Sequence, residues 1–163
     1  VKLIPGINSY FVPVGANNIP LNIPPEIAEG IVIDNVNLLL SSHIISSIVI
    51  DVNVTHSVRE SNGNYFLYPV ARAFAETFGG KLRGYVAPVE VVSFVAIVQE
   101  TDTLITLPEA DGMFMFTGLN PGPWEVYLLT SPEAGYRDTL FTETIEDGQL
   151  KEILPKPITL LPK

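Results

Sequence analysis

The stretch Asp-Gly-Met-Phe-Met-Phe-Thr-Gly-Leu-Asn-Pro-Gly-Pro-Trp-Glu-Val-Tyr-Leu-Leu-Thr, residues 111 to 130, decides how the chain is read. Asp111-Gly112 marks a tight turn, because glycine accepts a positive φ that other residues resist. Phe114 and Phe116 then share one face of a strand, with Met113 and Met115 on the other. Since those methionines are apolar too, the back of this strand is expected to be covered. At Leu119-Asn-Pro-Gly-Pro123 the chain reverses, Pro121 presetting φ and Gly122 supplying the permissive position. Trp124, Val126 and Leu128 then point one way and Glu125, Tyr127 and Leu129 the other, which makes the tryptophan a core anchor.

Period-2 alternation recurs outward from this corner, and long period-3.6 stretches do not. Beyond Gly79-Gly80 the alternation and its punctuation predict strands at 81–86, 94–99, 103–107, 113–117, 124–130, 139–145 and 158–161. So many short strands in so few residues imply a Greek-key sandwich. Before the joint, the clearest strand is 47–54, with Ile48, Ile50, Val52 and Val54 expected on a core and Ser47, Val49, Asp51 and Asn53 facing water. Asn62-Gly63 predicts a hairpin turn, and Pro69 should interrupt the strand that follows. Residues 71–80 carry Phe74 and Phe78 four apart, a spacing a helical turn would use, but read better as a strand running into the glycine pair. Pro-Pro-Glu-Ile-Ala-Glu-Gly at 24–30 predicts a single helical turn stopped by Gly30. The expected fold is therefore all-β: two small antiparallel β-sandwich domains, residues 1–79 and 80–163.

Composition bounds the rest. A chain of 163 residues that is 47% apolar buries roughly 70% of its unfolded surface and supports a true core. The longest apolar run, residues 37–50, is broken by Ser, His and Asn short of membrane-spanning length. Formal charge is −9, with 3 basic against 6 acidic residues before Gly80 and 6 against 12 from there on. Neither half offers nucleic acid or anionic lipid a basic patch. With no cysteine, disulfides, thiolate zinc sites and cysteine nucleophiles are excluded. The chain begins at Val1 in a strand-like Val-Lys-Leu-Ile, with no initiator Met or leader, and reads as a processed or trimmed fragment.

Gly84-Tyr85-Val86, the run from Gly112 to Leu119 and the run from Pro121 to Leu129 together resemble the carboxypeptidase-regulatory-like domain, a prealbumin-like β-sandwich. In that pattern Gly-x-Val is followed by Asp-x-x-Gly-x-Phe, a spaced Leu, and Gly-x-Tyr-x-Val. Here Asp111 abuts Gly112, and Trp124 stands at the tyrosine position. Upstream, Pro20-Leu-Asn-Ile-Pro24, the alternating strand 46–54 and Asn62-Gly-Asn-Tyr-Phe-Leu-Tyr-Pro-Val-Ala-Arg72 resemble the C-terminal portion of an uncharacterised bacterial lipoprotein domain. That domain often precedes a regulatory-like sandwich. The resemblances imply an exported protein of the bacterial cell envelope, lipid-anchored through upstream sequence.

Chemistry is sought first at the histidines. His43 in a turn-like stretch and His56 after a strand, with Asp34 and Asp51 near in sequence, invite a metal pair or a Ser-His-Asp set, but no spacing supports either. Glu100 with Asp102, Glu109 with Asp111, and Glu146 with Asp147 are paired loop carboxylates without the spacing of a calcium loop. No catalytic, metal or cofactor residues are therefore assigned. Tyr85, Tyr127 and Tyr136 are the candidate ligand-surface aromatics, and against that role stands ordinary packing. Asp102-Thr-Leu104 and Asp138-Thr-Leu140 match a short bacterial O-glycosylation acceptor, and Asn53-Val-Thr55 is a formal N-glycosylation sequon. The expectation is a non-enzymatic envelope protein acting as a spacer or interaction module, with a glycan or another envelope protein as partner. The alternatives are a carbohydrate-binding module and an accessory domain that stabilises a peptidase or transporter. Unpaired edge strands in the first domain would favour a homodimer.

Overall fold

The computed structural model describes every residue except 1, 7, 14, 16, 35, 37–41 and 44. The chain is all-β and divides into two compact units, Val1–Glu76 and Thr77–Lys163.

Among the described residues the first unit holds eight short strands: β1 (Lys2–Leu3), β2 (Tyr10–Phe11), β3 (Ile19–Pro20), β4 (Ile31–Val32), β5 (Ile48–Val52), β6 (Val58–Ser61), β7 (Asn64–Leu67) and β8 (Ala71–Ala75). They pair antiparallel as β1 with β4, β2 with β3, β5 with β8 and β6 with β7. Asn62 and Gly63 close the β6–β7 hairpin with φ of 52° and 75°, the two left-handed residues a two-residue primed turn requires. Pro69 falls between β7 and β8, where no ladder needs its missing N–H. Residues 71–75 are strand, with Phe74 opposite Val49 and 7% exposed. The turn expected at 24–30 is a 3-10 turn at Pro25–Ile27, and Gly30 ends it with φ 101°.

The 47–54 strand departs from its expected orientation in two ways. Ile48, Ile50 and Val52 alternate as read, but all three are at least 40% exposed, and Val49 on the opposite face is the more covered. Among the described residues the ribbon has a single neighbour, β8, whose Ala75, Ala73 and Ala71 sit directly opposite and are too small to shield them. The strand also stops at Val52. Asn53 accepts the His56 N–H at 3.1 Å and caps a four-residue helix, α1 (Val54–Ser57). The hydroxyl of Ser57, 1% exposed, is held between the Asn53 carbonyl and the Val70 N–H.

The second unit comprises β9 (Gly80–Ala87), β10 (Val92–Gln99), β11 (Asp102–Thr106), β12 (Met113–Leu119), β13 (Gly122–Thr130), β14 (Thr139–Ile145), β15 (Leu150–Glu152) and β16 (Ile158–Thr159). One sheet runs β11-β10-β13-β14, antiparallel throughout. The other runs β12-β9-β15, with β16 also on β9. Neighbours far apart in sequence, β10 beside β13 and β9 beside β12, carry the Greek-key order. β15 and β16 add two short parallel pairings to an otherwise antiparallel design.

Between the sheets, Leu82, Val86, Val95, Ile97, Phe114, Phe116, Trp124, Val126, Leu128, Ile145, Ile153 and Leu160 form one core, none more than 5% exposed. The Trp124 indole N–H donates to the Asn120 carbonyl at 3.0 Å, tying the core anchor to the turn that delivers it. Gly84 serves the same core by absence: a Cβ there would lie 2.3 Å from Cζ of Phe114. Asp111 Oδ1 accepts the Met113 N–H at 2.9 Å and Gly112 takes φ 84°, so the Asp-Gly turn is built as its residues demand. The cover expected over the back of this strand is partial, since Met113 is half-buried but Met115 is 44% exposed.

Candidate functional site

The same alternation that fills the core lays out a second surface on the far side of the four-stranded sheet. With Trp124, Val126 and Leu128 inward, Glu125, Tyr127 and Leu129 of β13 face out. The register aligns them with Val98, Ala96 and Phe94 of β10, and with Thr142 and Leu140 of β14. Ile105 and Thr103 of β11 extend the face past Ala96 and Val98. One ladder row therefore reads Ile105, Ala96, Tyr127, Leu140 across all four strands, with Phe94 and Leu129 in the row beside it. Leu140 is 59% exposed, whereas Phe94, Ile105, Tyr127 and Leu129 are half-buried.

The next row, Thr103, Val98, Glu125 and Thr142, is where the face turns polar. Here it opens into a cleft of about 700 Å³ between the β10–β11 turn and the Asn120–Pro123 reversal. The lining carries three carboxylates, Glu100, Asp102 and Glu125, and no Lys, Arg or His. Glu100 adopts φ 53° to make its turn. The cleft floor is stiffened by Gln99, whose Nε2 reaches the Pro121 and Pro123 carbonyls at 3.4 and 3.2 Å. Tyr127 donates its hydroxyl to Glu125 Oε2 at 2.7 Å, and this bond to a carboxylate raises the phenol above its usual range. An apolar plane ending in acidic oxygens is equipped to bury a partner's surface and to attract positive charge.

The opposite outer face, on β9 and β12, differs in character. Lys81, Arg83 and Tyr85 face outward there, beside Met113 and Met115. Glu152 receives Lys156 at 2.9 Å and Arg83 at 3.3 Å, and the lysine bond foremost holds its carboxyl below the usual range. Lys156, raised by the same bond, rests over the Tyr85 ring at 3.9 Å.

The sequence-derived candidates are thereby dispersed. Tyr85 and Tyr127 look out from opposite sides of the sandwich, and Tyr136 packs against the core beside a bridge to Pro162. The three tyrosines thus form no common stacking plane. His43 sits in a turn with φ 68° and His56 packs its ring on its own cap, Nδ1 lying 3.1 Å from Asn53 Oδ1. Of the apolar run 37–50, residues 37–41 and 44 lie outside the described residues. Asp34 is exposed, and Asp51 pairs with Arg72 at 2.9 Å. Among the described residues no group of three His, Asp or Glu could hold a metal ion. Asp111 is engaged in its turn, while Glu109, Glu146 and Asp147 are exposed. Of the two acceptor tripeptides, Thr103 is exposed and Thr139 half-buried, with Asp138 bonded to the Thr130 N–H and hydroxyl at 2.8 and 2.9 Å.

The apolar outer face has a signal in the sequence. Phe94-Val-Ala-Ile-Val98 is apolar at odd and even positions alike, the pattern of a strand with both faces destined for burial.

No family model matches the chain, and no curated protein matches it. Among solved structures, the Bacillus anthracis TIE protein resembles it with a TM-score of 0.40 and 13% identity, over 71% of this chain and 24% of that one. The chain thus spans about a quarter of that protein's length. Among the described residues no helix is long and apolar enough to cross a membrane.

Proposed function

We propose that the chain is a non-enzymatic module of a bacterial cell-envelope protein, a spacer whose second unit is a carboxypeptidase-regulatory-like sandwich presenting a contact surface. The observation that carries this reading is the outer face of β11-β10-β13-β14, apolar from Ile105 to Leu140 and continuous with a carboxylate-lined cleft. A second line of support is that polar groups at the suspected chemical positions do scaffold work. Asp111 holds its turn, Asp138 pins Thr130, and Asn53 caps a helix. The family resemblance is supported at Gly84, where the motif glycine makes room for the motif phenylalanine, Phe114. Contact between copies through strand edges of the first unit that have no ladder partner among the described residues belongs to the same reading.

The test is fractionation of cells that make the natural full-length protein, followed by immunodetection and a hydrolase screen of the purified chain. Recovery with the envelope and no turnover is expected. Recovery in the cytosol, or turnover abolished by His43→Ala or His56→Ala, overturns the proposal.

A further inference from the structure

We infer that the outer face of the β11-β10-β13-β14 sheet docks an extended segment of another protein, apolar where it crosses Tyr127 and Leu140 and cationic where it enters the Glu100–Asp102–Glu125 cleft. The inference rests on the contact-surface reading above and adds the chemistry of the partner.

Three observations select this occupant. The first is the contrast between the two outer faces of one sandwich. On the β9–β12 side, Arg83 of β9 and Lys156 beyond β15 are engaged by Glu152, as suits a solvated surface, whereas the β10–β13 face carries half-buried Phe94, Ile105, Tyr127 and Leu129 beside the exposed Leu140, with Glu125 at its margin. Burial of that face is what the doubly apolar strands imply.

The second is charge. Three carboxylates line the cleft with no basic side chain among its lining residues, in a chain of net charge −9. A Lys or Arg entering it gains opposite charge on several sides, and an anionic lipid surface is repelled by it.

The third is size. Four strands about 4.8 Å apart and five ladder positions of about 3.3 Å give a face of roughly 300 Å². A stable dimer needs about 800 Å² from each partner. A second copy laid on this face would fall short of that area and would bring its own net negative charge against the same carboxylates. An extended segment fits within the face and gains from the charge.

The probe is a short synthetic peptide alternating valine and threonine and ending Arg-Gly-Arg, with Gln-Gly-Gln and Glu-Gly-Glu versions, titrated by fluorescence polarisation. Saturable binding of the arginine peptide is expected, about tenfold tighter than the glutamine peptide. Glu125→Lys should remove that preference, and Leu140→Asp should weaken all versions while circular dichroism remains that of the parent. The parent binding all three peptides equally, or Leu140→Asp leaving affinity unchanged, overturns the inference. So does a dimer by light scattering that Leu140→Asp dissolves, which would make a second copy the occupant. A protein recovered with the envelope that ignores the arginine peptide sinks this inference alone; recovery in the cytosol sinks the reading beneath it.

Discussion

Replacing Gly84 by alanine tests the core of the second unit at its tightest point. The added Cβ would meet Phe114 at 2.3 Å from Cζ, 2.8 Å from Cε1 and 2.9 Å from Cε2. Ordinary carbon contacts are about 3.5–4.0 Å, so the ring must retreat by roughly 1 Å or more. It has nowhere to go: Phe114 is 1% exposed and its centroid is 6.4 Å from that of Phe116. Overpacking of this kind costs about 1–3 kcal/mol. For a unit of this size that lowers the melting temperature by roughly 4–8 °C for each kcal/mol. The assay is thermal and urea unfolding of Gly84→Ala, Phe114→Leu and the double variant. Because leucine vacates the space the new methyl needs, the double variant should be more stable than the sum of the singles by about 1 kcal/mol. A neutral Gly84→Ala, or strict additivity, would refute the packing argument and with it the assignment of Gly84 as the site where the ring crosses β9.

Trp124→Phe keeps most of the buried volume but removes the N–H that the Asn120 carbonyl accepts, and chemical unfolding followed by circular dichroism should show a loss of about 1–3 kcal/mol. Ile50→Thr, on the open face of the β5–β8 ribbon, should cost less than about 1 kcal/mol, where a core isoleucine would cost several. Asp138 has its carboxyl held below the usual range by the Thr130 N–H first and the Thr130 hydroxyl second. Its folded pKa being depressed, the stabilisation is complete above the unfolded value of about 3.9 and is lost as pH falls through the folded one. Melting temperatures measured from neutral to acid pH should therefore fall less steeply for Asp138→Ala than for the parent.

Most strands of the second unit were legible because each pairs a two-residue alternation with strong punctuation. The strand expected at 139–145 is β14 residue for residue, and the tryptophan strand differs only in starting at Gly122. β15 was not legible: three residues, Leu150-Lys-Glu152, are too few to show a period, and what makes them strand is the neighbouring backbone of β9. The tyrosines mark the same limit for the site. Tyr85 and Tyr127 read alike as candidate ligand-surface aromatics, and only the stacking of two sheets sets them on opposite sides.

By itself, then, the order of residues determined that this chain makes short strands, where it turns, and which side chains share a face, because period and turn chemistry are properties of a few adjacent residues. Which face is inside was decided by the tertiary structure. Phe114 and Ile50 both sit in well-alternating strands, yet one lies under a second sheet at 1% exposure and the other beside alanines at 44%. Burial depends on what arrives from far along the chain, and alternation carries no record of that.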